Sequence, residues 1–166
     1  MRVPRLLVFA KYWLPVLLWG WLIFTASGDS DSFNRSSRII APIVEWLFPS
    51  AREPTVDRIV FVTRKCAHVT EYAVLAWLLW RLLRQLLCGP DARWTWQPAL
   101  LAFGGATAFA MTDEFHQTFV ASRYGSWADV CLDSLGALLG IMFVWWIYGW
   151  RTARRRRAQD LLPQSE

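Results

Sequence analysis

Residues 127–150, WADVCLDSLGALLGIMFVWWIYGW, form a long apolar run whose two acidic residues both lie near its start. A helix needs about 20 mostly apolar residues to cross the hydrocarbon core of a bilayer, and this stretch meets that length. Similar stretches cover residues 6–27, 67–87 and 94–112. Apolar and polar residues do not alternate in them as they do in barrel strands, so each is predicted to be a helix. The predicted fold class is therefore all-α, a four-helix transmembrane bundle.

The composition of the whole chain agrees with this class. Of the 166 residues, 55% are hydrophobic, 12 are tryptophan, and the mean hydropathy of +0.24 is positive. These values are high for a soluble domain of this length, and the length itself indicates one domain. Most tryptophans lie toward the ends of the predicted spans, where indole rings favour the headgroup region, so their predicted role is anchoring.

Basic residues cluster at alternate borders of the predicted spans. The positive-inside rule places such clusters in the cytoplasm, so both termini are predicted to be cytoplasmic. The net charge of +5 then reflects topology, and no nucleic-acid partner is predicted. The tail after the fourth span, RTARRRR, also attracts anionic headgroups. The clusters are Arg2, Arg5 and Lys11, then Arg81, Arg84 and Arg93, and finally Arg151 with Arg154, Arg155, Arg156 and Arg157.

The same topology divides the chain into four parts. Residues 1–27 are a transmembrane anchor, residues 28–64 an outer loop, residues 65–150 a core of three spans, and residues 151–166 a basic cytoplasmic tail. A cleaved signal peptide is the alternative for the first part, but its apolar run is longer than a usual signal core and rich in tryptophan. Within the outer loop, residues 36–48 carry a helical apolar stripe too short to span, which predicts an interfacial helix.

Polar residues inside three of the spans require a separate explanation. A charge at the centre of a membrane helix costs about 2.5–3.5 kcal/mol, so such residues need compensating partners. In the second span Lys65, His68, Glu71 and Tyr72 recur every three or four residues and therefore share one helix face.

The third span ends in TDEFHQ, where Asp113 shares a face with His116 and Gln117, while Glu114 is predicted to point partly away toward water. In the fourth span Asp129 and Asp133 share a face.

The face that carries Asp129 and Asp133 continues with Gly136 and Gly140, and small residues four apart allow another helix to approach closely. The predicted topology brings the polar segments of all three spans to one outer end of the bundle. They form either a buried ion-pair network that fixes helix docking or a functional cleft. The residues are Arg64, Lys65, His68, Glu71, Tyr72, Asp113, Glu114, His116, Gln117, Arg123, Asp129 and Asp133.

Two blocks of this sequence, RKCAHVTEYAVLAWLL at 64–79 and TDEFHQTFVASRYGSWADVCLDSLGALLG at 112–140, resemble the VanZ-like family of small bacterial membrane proteins. The resemblance implies a four-helix bundle in the bacterial cytoplasmic (inner) membrane. The family takes its name from low-level teicoplanin resistance and implies no settled biochemical activity. The sequence departs from the usual pattern of the family at two places. The turn reads VASRYGS where proline and glycine commonly precede the arginine, and Asp133 stands where asparagine is frequent.

Three functional hypotheses follow. The first is an enzyme acting on a lipid headgroup or lipid-linked phosphate, with the predicted partners being membrane lipids. The second is a divalent metal site. The third is a non-enzymatic envelope protein that binds lipid or a partner. The catalytic candidates are His116, Asp113, His68 and Glu71, which are also the candidate metal ligands; the substrate-binding candidates are Arg64, Lys65, Tyr72, Gln117, Arg123 and Asp129.

Overall fold

A computed structural model describes residues 5–27, 32–49, 52–89, 93–119 and 125–160. Within those ranges all regular secondary structure is helical, which confirms the all-α prediction. A π-helical stretch, Phe9–Trp13, joins the first two α-helices into one continuous element. The α-helices are α1 (Arg5–Val8), α2 (Leu14–Ser27), α3 (Ser32–Leu47), α4 (Glu53–Leu87), α5 (Trp96–Gln117) and α6 (Trp127–Asp160).

The second predicted span begins much earlier than expected. Helix α4 starts at Glu53, not at residue 67, and so includes part of the segment that the sequence assigned to a loop. A proline in its first turn and the acidic Glu53 suit a helix N-terminus. Val56 and Val60 of this extension are buried against Val44 of α3. Hydrophobic packing against the amphipathic helix α3 therefore explains the extra turns.

The amphipathic segment of residues 36–48 is helical, as predicted, and belongs to α3. Its inner side contributes Val44, which is 6% exposed. Its outer side presents Ile39, Ile43 and Trp46, with exposed fractions of 63%, 54% and 79%. The location of α3 at the membrane surface stays a prediction.

Among the described residues, two helical stretches are long and apolar enough to cross a membrane, Phe9–Ser27 and Trp127–Arg154. They correspond to the first and fourth predicted spans. Helices α4 and α5 are long enough but less apolar. Glu71, Arg81 and Arg84 interrupt α4, and α5 has polar residues at both ends with alanine and glycine between them.

The contacts between helices fix their relative directions. The Arg81 guanidinium donates a hydrogen bond to the Lys11 carbonyl at 3.0 Å, near the end of α4 and just before the start of α2. At the opposite end of the bundle, Gln117 Nε2 donates to Ser27 Oγ at 2.8 Å, joining the ends of α5 and α2. Helix α2 therefore runs antiparallel to α4 and parallel to α5.

Helix α6 runs parallel to α4, and the two helices cross very closely. A Cβ atom built on Gly136 would lie 2.9 Å from Val69 Cα, and one built on Gly140 would lie 2.8 Å from Ala73 Cα. Real Cβ atoms essentially never approach backbone atoms so closely. The prediction that these two glycines admit a neighbouring helix is confirmed, and that neighbour is α4.

A stripe of alanines on α5 forms the centre of the apolar core. Ala99, Ala102, Ala106 and Ala110 are each at most 1% exposed and pack in one cluster with residues of α4 and α6. The stripe continues along the same face with Asp113 and then with the buried amide of Gln117. Asp113 and Gln117 therefore lie at the end of the hydrophobic core.

Candidate functional site

The polar end of the bundle begins with an ion pair between α4 and α6. Lys65 Nζ donates to Asp129 Oδ1, and about a third of each side chain is exposed, 30% for Lys65 and 34% for Asp129. Both residues were predicted to bind substrate. The structure brings them together, so each charge already has an opposite charge beside it.

Deeper along the same two helices, His68 lies between two carboxylates. Its Nδ1 is 3.9 Å from Glu71 Oε2 on α4 and 3.8 Å from Asp133 Oδ1 on α6. Both distances are longer than a hydrogen bond but within ion-pair range. The exposed fraction falls from 25% for His68 and 26% for Glu71 to 1% for Asp133. The imidazole therefore marks the boundary between an accessible surface and a buried acid.

Two polar groups of this region are buried without a hydrogen-bond partner among the described residues. They are the carboxylate of Asp133 and the hydroxyl of Tyr72. Tyr72 is 0% exposed, and its ring lies 6.4 Å from the ring of Phe109. Buried polar groups are nearly always hydrogen-bonded in folded proteins, so the buried carboxylate of Asp133 beside His68 is a candidate functional group.

On the opposite side, Gln117 organises the end of α5. Its Nε2 donates to Ser27 Oγ at 2.8 Å, to Glu114 Oε1 at 3.1 Å and to Asp113 Oδ2 at 3.3 Å. Asp113 and Gln117 are 1% and 6% exposed, which agrees with the predicted inward face. One amide thus joins α2 to two acids of α5.

The prediction that Glu114 points partly toward water is wrong. Its side chain is 5% exposed, and its Oε2 accepts the backbone N–H of Ser126 at 2.9 Å. The chain leading into α6 folds back over the end of α5. A Cβ atom on Gly125 would lie 2.5 Å from the Glu114 carbonyl oxygen, so this approach requires glycine.

His116 faces a different helix from His68. Its ring lies 4.3 Å from the ring of Phe24 on α2, at an interplanar angle of 36°. Among the described residues no group of three or more His, Cys, Asp or Glu side chains is arranged to hold a metal ion. The predicted ligand set of His68, Glu71, Asp113 and His116 is therefore not assembled in the structure.

The two arginines predicted to bind substrate differ in what the structure says of them. Arg64 is partly buried on α4, directly before Lys65. Arg123 lies outside the described residues.

Sequence reasoning missed several contributors from α2. The indole N–H of Trp19 donates to the Glu71 carbonyl at 2.9 Å, so this tryptophan packs against the core of the bundle and joins α2 to α4. Ser27 accepts from Gln117, and the ring of Phe24 contacts that of His116. Ser27 and Phe24 lie near the end of an apolar span and belong to no recognisable motif. They could have been predicted only if the sequence of α2 had shown which of its faces packs against the other helices.

A family model described as VanZ/LLP1 matches residues 12–148, which include every residue of the site described above. The chain belongs to the VanZ-like family. Together with the two apolar helical stretches, membership identifies this VanZ-like chain as a membrane protein. No curated protein and no solved structure matches the chain.

The VanZ-like site combines residues that serve acid–base chemistry. An imidazole titrates near neutral pH, and neighbouring carboxylates orient it and stabilise its protonated form. Here the imidazole of His68 has Glu71 on its own helix and Asp133 on a second helix. Around this centre the ion pair of Lys65 with Asp129 joins α4 to α6, and the amide of Gln117 joins α5 to α2. The arrangement can hold, accept and release a proton beside a polar ligand.

Proposed function

We propose that this VanZ-like protein crosses the bacterial cytoplasmic membrane four times, through α2, α4, α5 and α6, with both termini in the cytoplasm. Support comes from the alternating directions of these helices and from the separation of charges along the bundle. Lys11 and Arg81 meet at one end, whereas Lys65 meets Asp129 at the other. Under the positive-inside rule the end with Lys11, Arg81 and the basic tail is cytoplasmic. The polar site then opens toward the outer leaflet.

We further propose that the site acts on the headgroup of a membrane lipid or on a lipid-linked phosphate. The observation that carries this proposal is the position of His68 between Glu71 and Asp133, at the rim of a buried polar core. His68 serves as the proton donor and acceptor, and the two carboxylates fix its ring and charge state. Hydrogen-bond distances in such sites commonly shorten when the ligand binds, so separations of 3.8 and 3.9 Å suit a ligand-free state.

The phosphate of such a ligand requires cations near His68. Arg64 and Lys65 lie one turn before His68 on α4, and Arg123 lies in the connection between α5 and α6. Arginine binds phosphate in a bidentate manner, and lysine acts as a point charge. Since Lys65 is paired with Asp129, the incoming phosphate competes with that carboxylate for the ammonium group.

A non-enzymatic role is the second candidate. The observation that favours it is the number of helices that the polar groups connect: Gln117 joins α5 to α2, and Lys65 joins α4 to α6. In this case the polar end holds the bundle together and binds a lipid or a protein partner. A role in glycopeptide resistance, which the family name implies, is compatible with either candidate.

The deciding experiment is lipid profiling of a deletion strain complemented with variants of the full-length protein. We expect an accumulating lipid in the deletion strain and its disappearance with wild-type protein. His68→Gln and Asp133→Asn should fail to remove it at normal membrane abundance. Asp57→Asn on the exposed surface of α4 is the matched control for the acidic variant, and it should complement.

Complementation by His68→Gln would refute the catalytic role of this histidine. Loss of membrane abundance in both His68→Gln and Asp133→Asn would favour the structural role. An unchanged lipid profile in the deletion strain would refute action on lipids, and binding of a partner would then be the better explanation.

A further inference from the structure

A groove of about 540 Å³ lies between α4 and α6, away from the polar site. It follows the two helices from Thr70 to Trp80 on α4 and from Leu139 to Arg151 on α6. At a rise of about 1.5 Å per residue, the α4 side extends for roughly 15 Å, about half of the hydrocarbon thickness of a bilayer. The groove has no part in the proposed reaction.

The shape of the groove follows from the glycine contact between the helices. At Gly140 the backbone of α6 touches that of α4 at Ala73, so the floor is made of small residues. Large side chains rise on either side, and Trp77 and Phe143 are 41% and 58% exposed. A narrow apolar channel with aromatic walls fits an extended hydrocarbon chain.

One end of the groove is basic. Of the described residues that line it, Arg151 alone is charged. The guanidinium of Arg84 lies beside that end, 5.6 Å from the ring centroids of both Trp80 and Tyr148, which are lining residues. An apolar channel that ends at arginines complements a molecule with an acyl chain and an anionic head.

We infer that this groove binds one anionic phospholipid. Its acyl chain lies between Trp77 and Phe143, and its phosphate contacts Arg151 beside Arg84. The inference rests on the proposed topology but not on the lipid chemistry proposed for the polar site. The basic end of the groove, which would hold the headgroup, lies far along α4 and α6 from His68, although the other end of the groove reaches Thr70. Anionic lipids are concentrated where basic residues face the cytoplasm, and basic pockets between membrane helices bind their headgroups there.

The test uses full-length protein in nanodiscs that contain equal amounts of phosphatidylglycerol and phosphatidylethanolamine. Native mass spectrometry of the released protein measures how many molecules of each lipid stay bound. We expect the wild-type protein to retain phosphatidylglycerol preferentially. Arg151→Gln should lower the ratio of phosphatidylglycerol to phosphatidylethanolamine about fivefold, the effect of one basic residue near a headgroup.

Arg154→Gln is the matched control. It removes the same charge from the same helix, but Arg154 packs 4.7 Å over the Trp150 ring and does not line the groove. We expect it to change the ratio much less. Leu139→Trp fills the groove without altering charge, and it should reduce retention of both lipids.

Three results would overturn the inference. The first is the absence of any preference for phosphatidylglycerol in the wild-type protein. The second is an equal effect of Arg151→Gln and Arg154→Gln, which would indicate only a diffuse attraction to the basic tail. The third is unchanged lipid retention in Leu139→Trp, or a wild-type chain that forms a dimer and excludes lipid. In the latter case the groove belongs to a second copy.

Discussion

Replacing Gly136 by alanine should separate α4 from α6 and destabilise the protein. The added Cβ would lie 2.9 Å from Val69 Cα and 3.0 Å from Val69 C, and backbone atoms cannot rotate away as a flexible side chain would. Gly104→Ala on α5 is the matched control, because its Cβ would meet nothing within 4 Å. Both substitutions exchange glycine for alanine inside a helix, so the gain in helix propensity cancels between them.

The difference between the two variants therefore measures the steric cost at the helix crossing. Overpacking of this kind costs about 1–3 kcal/mol. For a chain of this size each kcal/mol changes the melting temperature by about 2–4 °C, which gives a difference of roughly 2–12 °C.

The assay is thermal unfolding of both variants in the same detergent, followed by circular dichroism at 222 nm. Equal melting temperatures for Gly136→Ala and Gly104→Ala would refute the close crossing of α4 and α6.

Three further predictions concern the polar end. Gln117→Ala should lower the free energy of unfolding by about 1–3 kcal/mol, because buried acceptors lose their donor. Gln97→Ala on the exposed side of the same helix should be near neutral. Equal effects of the two substitutions would contradict the hydrogen bonds of Gln117. A double-mutant cycle on Lys65 and Asp129 should give a coupling of about 0.2–1 kcal/mol, because the pair is partly exposed, and a coupling of zero would show that the ion pair does not stabilise the bundle. Trp19→Phe should lower the free energy of unfolding by about 0.5–1.5 kcal/mol, because the indole hydrogen bond to α4 is lost. An unchanged melting temperature would indicate that this hydrogen bond does not stabilise the bundle and that Trp19 serves only as an interfacial anchor.

Helical periodicity was sufficient to predict which polar residues share one face of α4 and which share one face of α6. Lys65 and His68 share one face of α4, and the partners that they contact, Asp129 and Asp133, share one face of α6. The close contact at Gly136 was also predictable, since small residues four apart have few other uses in a membrane helix. Spacing within one helix determines these features, and it can be read directly from the sequence.

Features that depend on a second element were not predictable in the same way. Glu114 is buried because Ser126 donates its backbone N–H from the following connection, which periodicity along α5 does not reveal. The separation of the two histidines depends on where α2 places Phe24. The early start of α4 depends on the packing of Val56 against the preceding helix α3, which periodicity along α4 does not reveal. Each of these errors arises from tertiary contact that overrides a local pattern.

The crossing of α4 and α6 also has a mechanical consequence. Because backbone touches backbone at both Gly136 and Gly140, neither helix can slide along the other without collision, and the two behave as one stiff unit. Asp133 lies one turn from that crossing and His68 lies directly beside Val69, so the backbone positions of His68 and Asp133 stay fixed relative to each other as the unit moves. Entry of a ligand into the polar end would then displace α2 and α5, which are held there by the side-chain hydrogen bonds of Gln117. Within α4 and α6, rotation of the two side chains alone would bring the imidazole and its buried acid closer together.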